Sequence, residues 1–335
     1  MTKPAVLVTG GGGYIGSHAV LALLDAGYPV TVIDNLVTGF RWAIDPRAAF
    51  VQGSVADEAL VRETLRRDNI AAIMHFAGSV VVPESIADPL KYYLNNTVVS
   101  RSLIESAVVC GVPHFIFSST AATYGTPEVA RVTETTPTVP INPYGRSKLM
   151  TEQMLADVAA AHAVNYCALR YFNVAGADPK GRTGQSTVGA THLIKVAVEA
   201  ATGKRDHVSI YGDDYPTPDG TGVRDYIHVS DLANAHLHAL EALIAEPERN
   251  YTLNCGYGRG FSVREVLEAV DRVTNVSIER RIEPRRAGDP PMLIADNSAI
   301  LAAFPWRPAR AELDVIIADA VAWERKLDAR RRDEG

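Results

Sequence analysis

The run TGGGGYIGS, residues 9–17, stands directly between a short apolar segment, AVLVTG (5–10), and a stretch with helical spacing, SHAVLALLDAG (17–27). No other feature constrains the fold as strongly. Glycines let the chain turn sharply from strand to helix, and let an anion approach the backbone where the first N–H groups of the helix are free. The run satisfies G-x-G-x-x-G through Gly11, Gly13 and Gly16, and G-x-x-G-x-x-G through Gly10, Gly13 and Gly16. PVTVID (29–34) reads as a second strand ending on Asp34, roughly twenty residues beyond the loop. A carboxylate there accepts hydrogen bonds from a ribose diol and repels a 2′-phosphate, so NAD is expected rather than NADP. The alternative is a tight strand-to-helix turn with no ligand.

The same alternation continues. AAIMHFAG (71–78) and HFIFSST (114–120) lack polar residues at every second position and read as strands buried on both faces. DEALVRETLRRDN (57–69) and roughly 90–111 read as helices between them, and NYCALRYFNV (165–174) as one further strand. This order predicts an α/β fold: a Rossmann-type, doubly wound parallel sheet with right-handed crossovers. After about residue 176 the rhythm changes to loops rich in Gly, Pro and Asp, GADPKGRTGQSTVG and YGDDYPTPDGTG. Residues 1–175 are expected to form the cofactor-binding domain, and 176–335 a smaller, loop-rich substrate lobe that returns some elements to the sheet. Ser262 and Glu265 form a capping box for the helix beginning there. Residues 313–327 read as a last amphipathic helix, and DARRRDEG as a fraying tail.

Composition narrows the class. The chain has 335 residues, 47% hydrophobic and 21% charged, as a globular enzyme does. A net charge of −6 gives no broad basic surface, so nucleic acid is not expected as a partner. Cys110, Cys167 and Cys255 are widely spaced and suit a reducing compartment. No export signal opens the chain and no apolar run could span a bilayer, so a soluble, cytoplasmic protein without membrane contact is expected. No metal site is expected.

NPYGRSKLMTEQML (142–155) places Tyr144 and Lys148 one helical turn apart. Two readings are open. Neighbours at this spacing touch by geometry alone. The other reading is that the ammonium favours the phenolate, giving a base that trades protons near neutral pH.

Taken in series, TGGGGYIGSH, DNLVTG, HFAG, SSTAATYG, NPYGRSK, RYFNVAGA, GTGVRDYIHVSDLA and PRRAGDPP resemble the extended short-chain dehydrogenase/reductases, and among them the branch that inverts C4 of UDP-hexoses. The match runs in order from residue 5 to about 296. The resemblance implies a retained NAD that accepts the C4 hydride of the sugar and returns it to the other face of a 4-keto intermediate. It also implies Tyr144 as base, Lys148 on the nicotinamide ribose, and Thr120 where a serine usually stands beside the sugar O4. On local grounds Thr120 could equally cap the turn after it. Bringing a phenol from about 10 to about 7 costs roughly 4 kcal/mol, which nearby positive charge would have to supply. Nucleotide-sugar dehydratases carry an acid pair after that position; Ala121 and Ala122 cannot move a proton, which argues against water elimination.

By the same resemblance the cofactor would be held by Gly10, Gly13, Tyr14, Ile15 and Gly16 of the first loop, and by Asp34 and Asn35 after the second strand. Ser54 and Val55 would come next, then Phe76, Ala77 and Gly78, then Asn95 and Tyr171. On the substrate side Arg224 and Arg286 would hold the UDP diphosphate, Tyr211 the uracil, Asn173 the diphosphate and Asp289 the ribose. His192, Leu193 and Tyr226 would line the same site. Any one of these arginines alone would read as a solvated surface charge, and Tyr211 alone as a core residue. Three positions depart from the common pattern: Val80 for a lysine, Ser54 for an aspartate at the adenine, and His192 for an asparagine. The first two imply looser NAD retention. Leu293, of intermediate bulk, stands where room for a 2-N-acetyl group is set. UDP-GlcNAc or UDP-GalNAc, UDP-glucuronate and UDP-pentoses therefore stay open as substrates, as does a non-catalytic NAD-binding regulator. In this family the helices over 90–111 and 144–162 pair with their copies, implying a homodimer; the sequence alone also allows a monomer.

Overall fold

The apolar runs of the first half fold as parallel strands whose alternate residues face opposite ways. The computed structural model describes residues 3–333. Strands β1 (Ala5–Thr9), β2 (Val30–Asp34), β3 (Ala49–Gln52), β4 (Ile70–His75), β5 (His114–Thr120), β6 (Asn165–Tyr171) and, from the second half, β10 (Tyr251–Cys255) build one sheet in the order β10-β6-β5-β4-β1-β2-β3. Every neighbouring pair is parallel. Helix α1 (Tyr14–Asp25) and helix α8 (Val229–Ala245) cover one face, where Val6, Val8, Val32 and Met74 are buried. Helices α2 (Glu58–Arg67), α5 (Val99–Cys110) and α6 (Pro143–Ala161) cover the other face, over Leu7, Ile33, Ile73 and Phe117. Because both faces are covered, the strands carry no polar alternation. Strand order reverses between β1 and β4, which opens a crevice outside their carboxyl ends.

Two expectations are corrected. The segment 165–174 is not one strand: it breaks at Phe172, and β7 (Asn173–Ala175) leaves the sheet to pair with β9 (Val223–His228). The expected helical stretch over roughly 90–111 is present, continuous from Pro89 to Cys110. After α3 (Val82–Ala87), a four-residue α4 (Pro89–Tyr92) is capped by Asp88, then Tyr93–Val98 widens into a π-helical turn before α5. Pro89 lacks an N–H and suits a helix start, which explains the break before it. The charged tail does not fray from residue 328: α11 runs from Leu313 to Asp333.

The second lobe holds β9 between β11 (Gly260–Ser262) and β13 (Met292–Leu293), and a two-stranded pair of β8 (Val208–Tyr211) and β12 (Arg280–Glu283). Helices α7 (Leu193–Ala201), α9 (Val263–Thr274) and α11 bury Ile194, Val198, Val266, Leu267, Ile316 and Ile317 together, while α10 (Ser298–Ala303) lies against β10. The Ser262–Glu265 capping box forms in both directions. Among the described residues no helix is long and apolar enough to cross a membrane, and no group of side chains could hold a metal ion.

Candidate functional site

The crevice begins at the glycine loop. Gly10 adopts a left-handed backbone (φ 72°), and a Cβ there would lie 2.7 Å from the Ala77 nitrogen, so the loop closes against the strand β4 exit only without a side chain. Gly13 is the N-cap of α1 and offers no side-chain acceptor, so the N–H groups of Tyr14 and Ile15 in the first turn are left for a ligand. The Asp34 carboxylate accepts the N–H of Gly12 at 2.9 Å and of Leu36 at 2.8 Å, which fixes it beside the loop. The Asn35 side chain accepts the Val37 N–H at 3.1 Å. Uncapped N–H groups facing an anion, with a carboxylate at the end of the next strand, form the donor and acceptor set that a dinucleotide requires.

Other positions expected at the cofactor fall into two groups. Phe76, Ala77 and Gly78 come directly after β4, with Phe76 packed 4.8 Å from the His236 ring. Asn95 donates to the Ser79 hydroxyl at 3.0 Å, holding the 78–80 turn. Tyr171 shares a hydrogen bond with the Ser118 hydroxyl. Tyr14, in contrast, turns its phenol away to donate to the Gly176 carbonyl at 2.7 Å, leaving only its backbone for a cofactor. Val55 faces the core, and the exposed Ser54 accepts the Ala56 N–H at 3.2 Å, capping its own turn.

At the carboxyl end of β5 three side chains converge. Thr120 accepts the Ala122 N–H at 3.1 Å and is also hydrogen-bonded to the Tyr144 phenol, an interaction that favours the phenolate. Burial outweighs it, so the Tyr144 pKa lies above its ordinary value. Lys148, one turn along α6, donates to the Ser118 carbonyl at 2.9 Å and lies 4.9 Å from the centre of the Phe117 ring. Burial lowers its pKa to about 8, against the opposing charge of Glu152. The sequence expectation of a phenol already depressed by its lysine is therefore not met in the chain alone, because loss of water costs the phenolate more than these neighbours return.

The second lobe faces this cluster with a cationic wall. The Arg286 guanidinium lies 4.5 Å from the centre of the Tyr211 ring and pairs with Asp289 at 3.0 Å. Arg224 donates to the Val223 carbonyl at 2.9 Å; burial lowers its pKa, Asp289 raises it, and Arg286 lowers it again. Among the described residues it makes no ion pair of its own. Two guanidiniums within reach of one carboxylate, only Arg286 being paired with it, leave positive charge uncompensated, which suits a diphosphate. His192 is hydrogen-bonded to Gln185 at 3.0 Å and feels the Arg286 charge. Asn173 pairs in register with Tyr226, whose phenol is buried in the lobe with its pKa raised to about 12 by burial. Leu193 flanks the same core. Leu293 packs with Ala121, Tyr124 and Phe172, joining β13 to the loop after Thr120.

Several residues that support the site went unread in the sequence. Ser119 donates to Glu152, and Arg170 pairs with Glu152 at 2.6 Å, both side chains nearly dry. Asn96, buried in the π-helical turn, accepts the Ser79 N–H at 2.8 Å and donates to the Ser147 hydroxyl at 3.1 Å. Asp225, beside Arg224, accepts the N–H groups of Tyr257, Gly258 and Ala295, and burial raises its carboxyl to about 6. A carboxylate next to an arginine in the segment VRDY was the available signal for Asp225. Asn96 had none beyond its neighbour Asn95.

Comparison with known proteins agrees with this geometry. The NAD dependent epimerase/dehydratase family model matches residues 6–256. A UDP-glucose 4-epimerase from Azospirillum brasilense is 52% identical over 326 residues, covering 97% of this chain and 93% of its own. A UDP-glucose 4-epimerase from Brucella ovis, solved with NAD, superposes with a TM-score of 0.91 at 44% identity, over 95% of this chain and 98% of that one. One from Stenotrophomonas maltophila, solved with NAD and formylated UDP-arabinopyranose, gives 0.94 at 38% identity, over 98% and 99%. The chain belongs to the NAD-dependent epimerase/dehydratase family.

Proposed function

We propose that this chain is an NAD-dependent epimerase that inverts C4 of a UDP-hexose, UDP-glucose and UDP-galactose being the pair. The observation that carries the reading is the placement of Thr120, Tyr144 and Lys148 at the carboxyl end of β5, with the glycine loop and Asp34 nearby in the same sheet. When bound, the oxidised nicotinamide would supply a hydride acceptor for the sugar C4 and positive charge beside the phenol. The first-turn N–H groups of Tyr14 and Ile15 would hold its diphosphate, Asp34 and Asn35 the adenosine ribose, and Lys148 the nicotinamide ribose. Ser54, Val55, Phe76, Ala77, Gly78, Asn95 and Tyr171 would complete that wall.

Tyr144 would take the O4 proton, with Thr120 hydrogen-bonded both to the phenol and to the sugar hydroxyl. Arg224 and Arg286 would bind the diphosphate, Tyr211 the uracil and Asp289 the ribose; Asn173, His192, Leu193, Tyr226 and Leu293 would line the rest. Cofactor binding falls to residues 1–175 and UDP-sugar binding to 176–335. Ala121 and Ala122 supply no acid for water elimination, which disfavours a dehydratase. The same site would accept other UDP-sugars to the extent that Leu293 leaves room. Three unpaired thiols suit work in the cytoplasm.

A homodimer completes the proposal. Leu90, Leu94 and Val98, 78%, 55% and 52% exposed, recur four residues apart beside Met150 of α6, an apolar stripe that a second copy would cover. Incubating purified protein with UDP-galactose and no added reductant should yield UDP-glucose by proton NMR. Absence of conversion by dinucleotide-loaded wild type would overturn the UDP-glucose/UDP-galactose reading and leave another UDP-sugar or the non-catalytic reading.

A further inference from the structure

The segment after Asp34 is strained and is held from outside its own lobe. Leu36 adopts a left-handed backbone (φ 58°), which bulky L-residues avoid unless their surroundings enforce it. Two hydrogen bonds tie the segment to the cofactor loop: Leu36 N–H to Asp34 at 2.8 Å, and Phe40 N–H to the Gly12 carbonyl at 2.9 Å. Beyond Phe40 the segment ends in Trp42, whose ring lies 5.0 Å from Phe40. The other neighbours of Trp42 come from α11, a helix rooted in the core of the second lobe. Trp323 stands 5.9 Å away, and the Arg330 guanidinium lies 4.4 Å from the centre of the Trp42 ring.

Trp323 is itself fixed, donating to the Ser186 hydroxyl at 3.2 Å and packed against Gly184, where any side chain would collide with its ring. Lys195 and Lys204 hold Glu324, the next residue of α11. Arg330 Nη1 is buried with no hydrogen-bond partner.

We propose that Trp42 and Arg330 are positioning residues for dinucleotide binding: the last turns of α11 brace segment 35–43 across the lobe boundary and so set how long the dinucleotide stays on Asp34 and the glycine loop. The inference rests on reading that loop as the dinucleotide site.

The test measures NAD release from purified holoprotein into a trap of NAD glycohydrolase, together with amide hydrogen exchange of residues 35–43. Arg330→Ala should release NAD between about twofold and thirtyfold faster than wild type, the range a cation–aromatic contact spans. Exchange should accelerate in 35–43, while the thermal midpoint and UDP affinity stay at wild-type values. Arg330→Lys should fall between the two, and Trp42→Leu should match Arg330→Ala. Wild-type release by Arg330→Ala would overturn the proposal. So would UDP affinity and thermal midpoint falling in step with faster release, which would mark a general structural role. If wild type binds no dinucleotide, the cofactor reading fails instead, and exchange in 35–43 alone decides the brace.

Discussion

Tyr144 shows how little a motif says about a pKa. The i,i+4 spacing put the phenol and the ammonium on one helix face, but burial dominates both, raising the phenol and lowering Lys148 to about 8. A phenol so placed is protonated at neutral pH until more positive charge arrives. Tyr144→Phe removes the proposed proton acceptor and keeps the ring, so turnover should fall by roughly 10²–10⁴-fold while NAD and UDP still bind, measured by epimerisation rate and by calorimetry. Thr120→Val removes a hydrogen bond that favours the phenolate. On the proposed mechanism activity rises with pH as the phenol ionises, so the acid limb of kcat/KM should move to higher pH in this variant, with about a tenfold loss at neutral pH. An unmoved limb would show that the titrating group is not Tyr144. At this scale the reactive side chains were legible and their surroundings were not: nothing in SSTAATYG announces that the Ser118 carbonyl receives Lys148, or that Ser119 belongs to a buried ion pair.

Elements are held in register by such buried pairs. Glu152 on α6 meets Arg170 on β6 with both side chains nearly dry, which fastens the helix carrying Tyr144 and Lys148 to the sheet. Glu152→Ala would leave the guanidinium buried and uncompensated, so stability should fall by about 3–5 kcal/mol in chemical denaturation. Strands were easier to read than helices in this chain. HFIFSST is β5 residue for residue, because the run Phe115–Phe117, buried on both faces, shows no polar alternation. The stretch 90–111 read as helical throughout because helical periodicity survives a π-helical turn, which shifts the register by a residue without breaking the pattern. That turn places Asn96 between Ser79 and Ser147, contacts separated too far in sequence for any local rule to anticipate.

For the whole molecule, two lobes close on one crevice because the chain crosses between them repeatedly: β10 returns to the sheet beside β6, and α8 packs on α1. The exposed stripe of Leu90, Leu94 and Val98, which the proposed dimer would bury, belongs to this scale. Leu94→Glu combined with Leu90→Glu should shift the protein from dimer to monomer in size-exclusion chromatography with light scattering, and wild type running as a monomer would refute the dimer. By itself the sequence determined the parallel sheet, the glycine loop, Asp34 and the Tyr144–Lys148 pair, because periodicity, turn chemistry and helical spacing are local and every short window carries them. Only the tertiary structure decided that Arg224 comes within electrostatic reach of Arg286 and Asp289, that β7 leaves the sheet, and that α11 reaches back to Trp42. Those outcomes depend on contacts between distant segments, where the free energy of packing and of desolvated charge is settled by which groups meet in space rather than by their order along the chain.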